Sequence, residues 1–251
     1  MIMVRVLFVA AFTSRSQAYA QGIANAGLFP GNVLFLGVPK QGIAGQGSIE
    51  QGVDEVQGLF IPDFSKGLEE TVDQWDSKIY RVNENNINSQ EVYNYINKLK
   101  PELIIYSGYG GQVVEKRVLD IGSPFLHMHS GWLPDYRGST TLYYGWLDKR
   151  LCAVSAIILK EKIDIGPIVA RKKFDIPPEN IDPDYVYDSA IRADTLVSVL
   201  IEYMRNGCFK NIINQADGVS PYYVMHPLLK HIARLSTKKR RQNDTGFQAI
   251  L

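Results

Sequence analysis

Near the amino terminus the chain changes apolar rhythm twice within forty residues. Val4-Arg5-Val6-Leu7-Phe8-Val9-Ala10 is an almost continuous apolar run of strand length. Runs of that kind, without alternation, belong to strands covered on both faces. Thr13-Ser14-Arg15-Ser16 follows, where a hydroxyl can cap the helix predicted over Gln17–Ala26. Gly27 stops that helix, because glycine takes the left-handed position at a helix end without steric cost. Asn32-Val33-Leu34-Phe35-Leu36-Gly37 then reads as a second strand, completing a β-α-β unit.

The same alternation continues. Strands are predicted at Ser77–Val82, Leu103–Tyr106, Pro124–His129, Ala153–Leu159 and Ile168–Phe174. Helical spacing appears at Ser89–Leu99, Val113–Leu119 and, at greater length, Tyr185–Met204. Residues 39–75, punctuated by Gly42, Gly45, Gly47 and Gly52, read as a long loop or a loop with short helices. Strands alternating with helices predict an α/β fold: a Rossmann-like, mostly parallel sheet with helices on both faces. Residues 1–207 form that domain, and residues 208–251 a short C-terminal appendage. Its stretch Ser236–Asp244 is charged and poor in apolar residues, and reads as a mobile tail. In such sheets ligands bind where loops leave the carboxyl ends of the strands, which places His129 and the loop after it at the site.

Composition narrows the function classes. With 27 basic and 26 acidic residues in 251 the formal charge is +1, against a strongly positive nucleic-acid binder. Cys152 and Cys208 are far apart and lack metal-ligand spacing, so they read as reduced thiols of a cytoplasmic protein. The apolar run Val6–Phe12 fits a first strand better than an export signal, since Arg15 and Gln17 stand where a cleavage region would lie. No run of 18 apolar residues suggests a membrane span.

Of the four histidines, two are His127 and His129. Residues two apart on a strand project to one face, so both imidazoles can enter one pocket. Three readings stay open from the residues alone. The pair could serve acid–base chemistry, could join Asp164, with His226 in reserve, as zinc or iron ligands, or could be structural. Asp164-Ile165-Gly166-Pro167 by itself reads as a turn. Thr13, Ser14 and Arg15 at a helix start can hold an anion, and capping explains the two hydroxyls equally well.

His127-Met128-His129-Ser130-Gly131-Trp132-Leu133-Pro134-Asp135-Tyr136-Arg137-Gly138 resembles the formyltransferase pattern Asn-x-His-x-Ser-Leu-Leu-Pro-x-x-Arg-Gly. Ile163-Asp164-Ile165-Gly166 is similar to the Leu-Asp-x-Gly motif of the same family, at the right distance downstream. The resemblance covers residues 100–175 well and residues 1–40 loosely. It implies an N-formyltransferase that uses 10-formyltetrahydrofolate, with His129 and Asp164 as two members of its catalytic Asn-His-Asp trio and no metal. His127 occupies the asparagine position. The family's amide N–H helps hold an oxyanion, and a histidine N–H can replace it only in the right tautomer or when protonated. The resemblance also implies pterin-facing loops at Ser107, Gly108, Tyr109 and Gly110 and at Lys160, Ile163 and Asp164. Thr13, Ser14, Arg15, Arg137, Thr140 and Tyr143 would face the acceptor.

Methionyl-tRNA formyltransferases are longer at the C-terminus. The short appendage and slight charge therefore disfavour tRNA as a partner, and the Lys238–Arg241 cluster reads as a solvated tail. A nucleotide-linked amino sugar is the expected small-molecule acceptor, with hydroxyl and aromatic groups at Ser139–Tyr144 and Pro221–Tyr223 suited to it. No membrane partner is expected, and a homodimer is compatible with the sequence. The competing classes are a His/His/Asp metal enzyme and a non-catalytic binder that has lost its asparagine.

Overall fold

A computed structural model describes residues 5–39, 55–56, 58–216 and 220–246, with side chains described up to Thr237. In chain order the elements are β1 (Val6–Ala11), α1 (Ser14–Ala26), β2 (Asn32–Leu36), β3 (Glu55–Val56), β4 (Leu59–Phe60), α2 (Leu68–Val72), β5 (Lys78–Val82), α3 (Gln90–Leu99), β6 (Leu103–Ser107) and α4 (Lys116–Leu119). The second half supplies β7 (Phe125–His129), α5 (Thr141–Lys149), β8 (Cys152–Ile158), β9 (Ile168–Phe174), α6 (Asp188–Asn206) and α7 (Pro227–Gly246). Gly42, Gly45, Gly47 and Gly52 lie outside the described residues.

The main sheet has seven strands in the order β5-β2-β1-β6-β7-β8-β9. Its first five run parallel, and β8 and β9 turn antiparallel at one edge. Strand β1 shows why the sequence lacks alternation. Val6, Phe8 and Ala10 enter the core beneath α1, α5 and α6, while Leu7, Val9 and Ala11 enter the one beneath α3 and α4. All six are fully buried, as a strand covered on both faces requires. The expected Rossmann-like sheet with helices on both faces is therefore what the chain forms.

Helix boundaries follow local chemistry. Thr13 caps α1 by accepting the Ser16 N–H at 3.2 Å, and Gly27 ends it in the left-handed region with φ 66°. Ser89 caps α3 in the same way through the Val92 N–H. Two expectations need correction. The helix predicted over Val113–Leu119 is only one turn, Lys116–Leu119, because nothing caps it before Glu115. The long helix read as Tyr185–Met204 is a π-turn over Pro183–Tyr187, capped by Asp182, running into α6. The charged stretch Ser236–Asp244 belongs to helix α7. Ion pairs of Lys230 with Asp184 (2.8 Å) and Arg234 with Asp182 (3.1 Å) dock the first half of that helix, with Ala233 buried beneath it.

The carboxyl ends of β1, β6 and β7 lie side by side. The loops they release begin at Phe12, Gly108 and Ser130, so the first, the glycine-rich and the histidine-bearing loops converge on one edge.

Candidate functional site

His127 and His129 sit on the last residues of β7, opposite Ile157 and Ser155 of β8. The strand alternation sends both rings to the face shared by Phe125 and Tyr106, while Leu126 and Met128 go to the other core. His129 is buried, with 4 % of its surface exposed. Its Nε2 lies 2.7 Å from the Tyr136 carbonyl and 3.4 Å from Thr141 Oγ1. Thr141 donates its own proton to the Ser130 carbonyl, so both neighbours of Nε2 are acceptors and Nε2 carries a hydrogen. The other ring nitrogen, Nδ1, faces Asp164 Oδ2 at 3.4 Å, with side-chain exposures of 5 % and 11 %. A neutral ring would turn a lone pair toward that carboxylate. The contact at Nδ1 is therefore attractive only when the ring is protonated, with Asp164 as the acceptor of that hydrogen. Burial lowers the His129 pKa from its ordinary value, and Asp164 with the Tyr136 carbonyl opposes that.

Asp164 reaches the ring from an unusual backbone. Its φ is 55°, in the left-handed region that aspartate tolerates better than most residues. Its Oδ2 also accepts the Gly138 N–H at 3.0 Å, tying the turn after β8 to the loop after β7. Gly131 is needed beside the ring: a Cβ there would stand 2.7 Å from the Tyr136 carbonyl oxygen and 2.9 Å from His129 Nε2. Ser155 stitches the same loop by donating to the Gly131 carbonyl at 2.7 Å and accepting the Leu133 N–H at 3.0 Å.

His127 is half-buried, 6.2 Å from the Tyr106 ring between centroids, and its Nδ1 has no partner. Burial first, then Arg15 and Arg192, push its pKa well below the ordinary value. His127 is thus neutral near pH 7 and offers one N–H.

Around the pair lies a polar cluster whose second half the sequence reading missed. Arg192 from α6 binds Asp188 at 2.8 Å and donates to the Met128 carbonyl, and Asp188 accepts the Ser130 hydroxyl. The i, i+4 spacing of an acid and an arginine could have flagged the pair, but it is common on solvated helix faces. Arg15 donates to Ser107 Oγ at 3.3 Å and to the Gly108 carbonyl, and forms no ion pair among the described residues. Ser16 and Ser107 bind each other at 2.8 Å.

The remaining predicted residues divide. Tyr109 anchors its loop by donating to the Leu36 carbonyl at 3.1 Å, and Gly110 is exposed beside it. Gly108 has no room for a Cβ, which would overlap the Tyr106 hydroxyl. The hydroxyl of Tyr106 and Nδ1 of His127 are both buried without a partner next to this loop. They fit a ligand that brings hydrogen-bonding groups of its own, as a pterin does. Lys160 and Ile163 are exposed on the other candidate loop. Thr13 is engaged in capping, and Ser14 accepts from Ser189 at 3.4 Å. Arg137 is buried. Thr140 accepts the Met225 N–H at 2.8 Å, and Tyr143 donates to Asp184 at 2.9 Å while stacking on Trp146. The hydroxyls of Thr140 and Tyr143 are thus committed within the protein. His226 lies at the start of α7, where its Nδ1 accepts the Leu228 N–H at 3.2 Å. Among the described residues no three His, Cys, Asp or Glu side chains are grouped to hold a metal. No helix of the described residues is long and apolar enough to cross a membrane.

The sequence pattern of the family described as Formyl transferase matches residues 61–200. Among curated proteins, a methionyl-tRNA formyltransferase of Campylobacter lari is 27 % identical over 187 residues, covering 68 % of this chain and 60 % of that protein. One from Finegoldia magna is 31 % identical over 124 residues, covering 48 % and 39 %. This chain therefore spans 60 % or less of the length of these relatives. Among solved structures, phosphoribosylglycinamide formyltransferase from Bacillus halodurans aligns with a TM-score of 0.53 at 15 % identity, covering 80 % of this chain and 96 % of the other. Methionyl-tRNA formyltransferase from Clostridium thermocellum gives 0.53 at 12 %, covering 90 % and 74 %. At those identities the structures speak for the fold alone. The expectation that tRNA is a disfavoured partner is overturned, because these sequence relatives are methionyl-tRNA formyltransferases. That expectation rested on net charge and on the length of the C-terminal part. Net charge says nothing of a local surface, and a partial match makes length no guide.

Proposed function

We propose that this chain, which belongs to the formyl transferase family, moves a formyl group from 10-formyltetrahydrofolate to a primary amine. The observation that carries the reading is the buried His129, held between the Tyr136 carbonyl and Asp164. Formyl transfer needs a donor toward a developing oxyanion and a proton for the departing folate nitrogen. His129 supplies the proton and is recharged by the one the attacking amine loses, and Asp164 stabilises the ring while it is charged. His127, neutral, donates its single N–H where the family has an amide. The folate, when bound, brings the formyl group. Loops 107–111 and 160–164 receive its pterin, with Ser107, Gly108, Tyr109 and Gly110 on one side and Lys160 and Ile163 on the other. Residues 1–207 carry this chemistry, and the appendage of residues 208–251 buttresses the loops.

For the acceptor, the names of the sequence relatives point to an amine carried by tRNA. An amino sugar linked to a nucleotide is the second reading. Tyr222, 38 % exposed and 4.2 Å from the half-buried Tyr144 between ring centroids beside the loop at Gly138, favours a nucleotide in either case, since an exposed ring can stack on a base. Thr13, Ser14, Arg15 and Arg137 are proposed to meet the acceptor's anionic part.

The deciding assay follows tetrahydrofolate release from 10-formyltetrahydrofolate, with charged methionyl-tRNA and with a panel of nucleotide-linked amino sugars. Transfer to one of them, lost in His129→Ala, supports the reading and names the class. Absence of both folate binding and folate-dependent transfer would overturn it.

A further inference from the structure

The stretch between α6 and α7 does more than connect them. Ile213 forms a two-bond antiparallel bridge with Ile168, at 2.8 and 2.9 Å. Tyr222 donates its N–H to the Arg137 carbonyl at 2.7 Å and accepts that of Ser139 at 2.9 Å. The segment thus grips both loops that build the His129 site. At its centre Gln215, half-buried, donates Nε2 to two carbonyls of the Asp164 turn, those of Asp164 (3.0 Å) and Gly166 (2.7 Å).

We infer that Gln215 is a positioning residue for the His129–Asp164 pair. The inference rests on the proposed formyl transfer for its consequence in turnover, but not for its structural content. The turn needs an external hold for a stated reason. Asp164 sits at φ 55°, a conformation most side chains avoid, and Gly166 is packed so that a Cβ would overlap the Ile158 carbonyl. A turn of that shape leaves carbonyls aimed away from the sheet, and buried carbonyls require donors. One amide supplies both, bracketing residue 165 and fixing the direction in which the Asp164 side chain leaves. That direction brings Oδ2 to the Gly138 N–H at 3.0 Å and to His129 Nδ1 at 3.4 Å. Gln215 reaches neither the ring nor the space beside it, so its effect passes through Asp164. It lies in the segment after α6, beyond residues 61–200 that match the family.

The test compares Gln215→Ala and Gln215→Met with the parent by NMR titration of the His129 ring, which needs no substrate. The methionine variant keeps about the same length and removes the donors without adding a charge. Both variants are expected to move the His129 titration downward, toward that of Asp164→Asn. Adding Gln215→Ala to Asp164→Asn should move it no further. If the alanine variant does not fold, Gln215→Asn, with its amide one methylene short, takes its place. In the transfer assay kcat should fall about tenfold or more, with KM for the acceptor within about twofold. An unchanged His129 titration in folded variants, or an equal further shift on the Asp164→Asn background, would overturn the assignment. If the parent shows no formyl transfer, the functional reading fails while the titration still decides the role of Gln215.

Discussion

Replacing Asp164 with asparagine removes the charge beside the ring while keeping the size of the side chain. One oxygen, Oδ2, both accepts the Gly138 N–H and faces His129 Nδ1, so asparagine keeps one of the two contacts: its oxygen for Gly138, or its amide toward a neutral ring. Either way about one neutral hydrogen bond is lost, a cost of about 1 kcal/mol, so the fold should lose little stability. What it loses is the attraction between ring and carboxylate. At 3.4 Å and an effective dielectric near 20, that attraction is about 5 kcal/mol, an upper figure. The asparagine dipole and local relaxation return part of it. A residual loss of about 3 kcal/mol lowers the protonated fraction of His129 roughly a hundredfold at fixed pH. Turnover at pH 7 should fall by the same order, with the optimum moved to more acid pH, while the thermal midpoint stays within a few degrees. A pH–rate profile of formyl transfer, paired with NMR titration of the ring, measures both. Turnover within threefold of the parent, or a ring titration that does not move, would refute the assignment of the proton to this pair.

Four further outcomes are expected. His129→Ala should reduce transfer by about two orders of magnitude or more, read in the tetrahydrofolate-release assay. His127→Asn should keep most of the activity and His127→Ala should not, if the N–H at that position supports the oxyanion; equal activity in both would remove it from the mechanism. Because the folded His127 pKa is depressed, the unfolded chain binds a proton below about pH 6.5 that the folded chain refuses. Its stability contribution is present above that pH and is lost on acidification, so denaturation of His127→Asn should show a flatter acid limb than the parent. Gly131→Ala should cost about 1–3 kcal/mol in urea unfolding and distort the His129 ring, because its Cβ has no free volume.

The parts of this molecule that were legible in the sequence are those where a local rule meets no competitor. Strand β1 is apolar at nearly every position and is read within two residues; α1, with its threonine cap and glycine stop, ends where predicted but starts at Ser14, three residues before the predicted Gln17. Val113–Leu119 has helical spacing but no cap, and it shortens to one turn. Helix α7 escaped the reading because its first half is held by ion pairs to Asp182 and Asp184 some fifty residues away, a long-range fact that composition does not carry. At the site, His129 and Asp164 were visible through their paired motifs. Arg192, Asp188 and Gln215 were not, since a charged i, i+4 pair and a lone glutamine look like ordinary surface until the fold brings them to the sheet edge. The hydroxyls of Thr140 and Tyr143, read as groups fit to meet a ligand, bond Met225 and Asp184 within the protein.

The charges near the two histidines explain why they differ although they share a strand and a face. Arg15 and Arg192 both raise the positive potential at His127, and Asp188 is bound to Arg192 and to Ser130, so it offers little relief there. A second positive charge on His127 would add to two arginines in a half-buried space, and the ring remains neutral. His129 feels Arg192 as well, but Asp164 lies against its free nitrogen and pulls the other way. One histidine is thereby left as a fixed N–H donor and the other as the place where a proton can come and go. The two roles need opposite environments 7 Å or so apart along one strand, about two residues of rise. The chain obtains the second environment only by bringing a carboxylate from the turn between β8 and β9, in a left-handed conformation that Gly166, Gly138 and Gln215 make tenable. Two non-glycine residues of this site hold left-handed backbone, Asp164 with φ 55° and Thr140 with φ 52°, and of the two it is Asp164 whose side chain faces the ring, so the strain there is tied to the proton that ring exchanges.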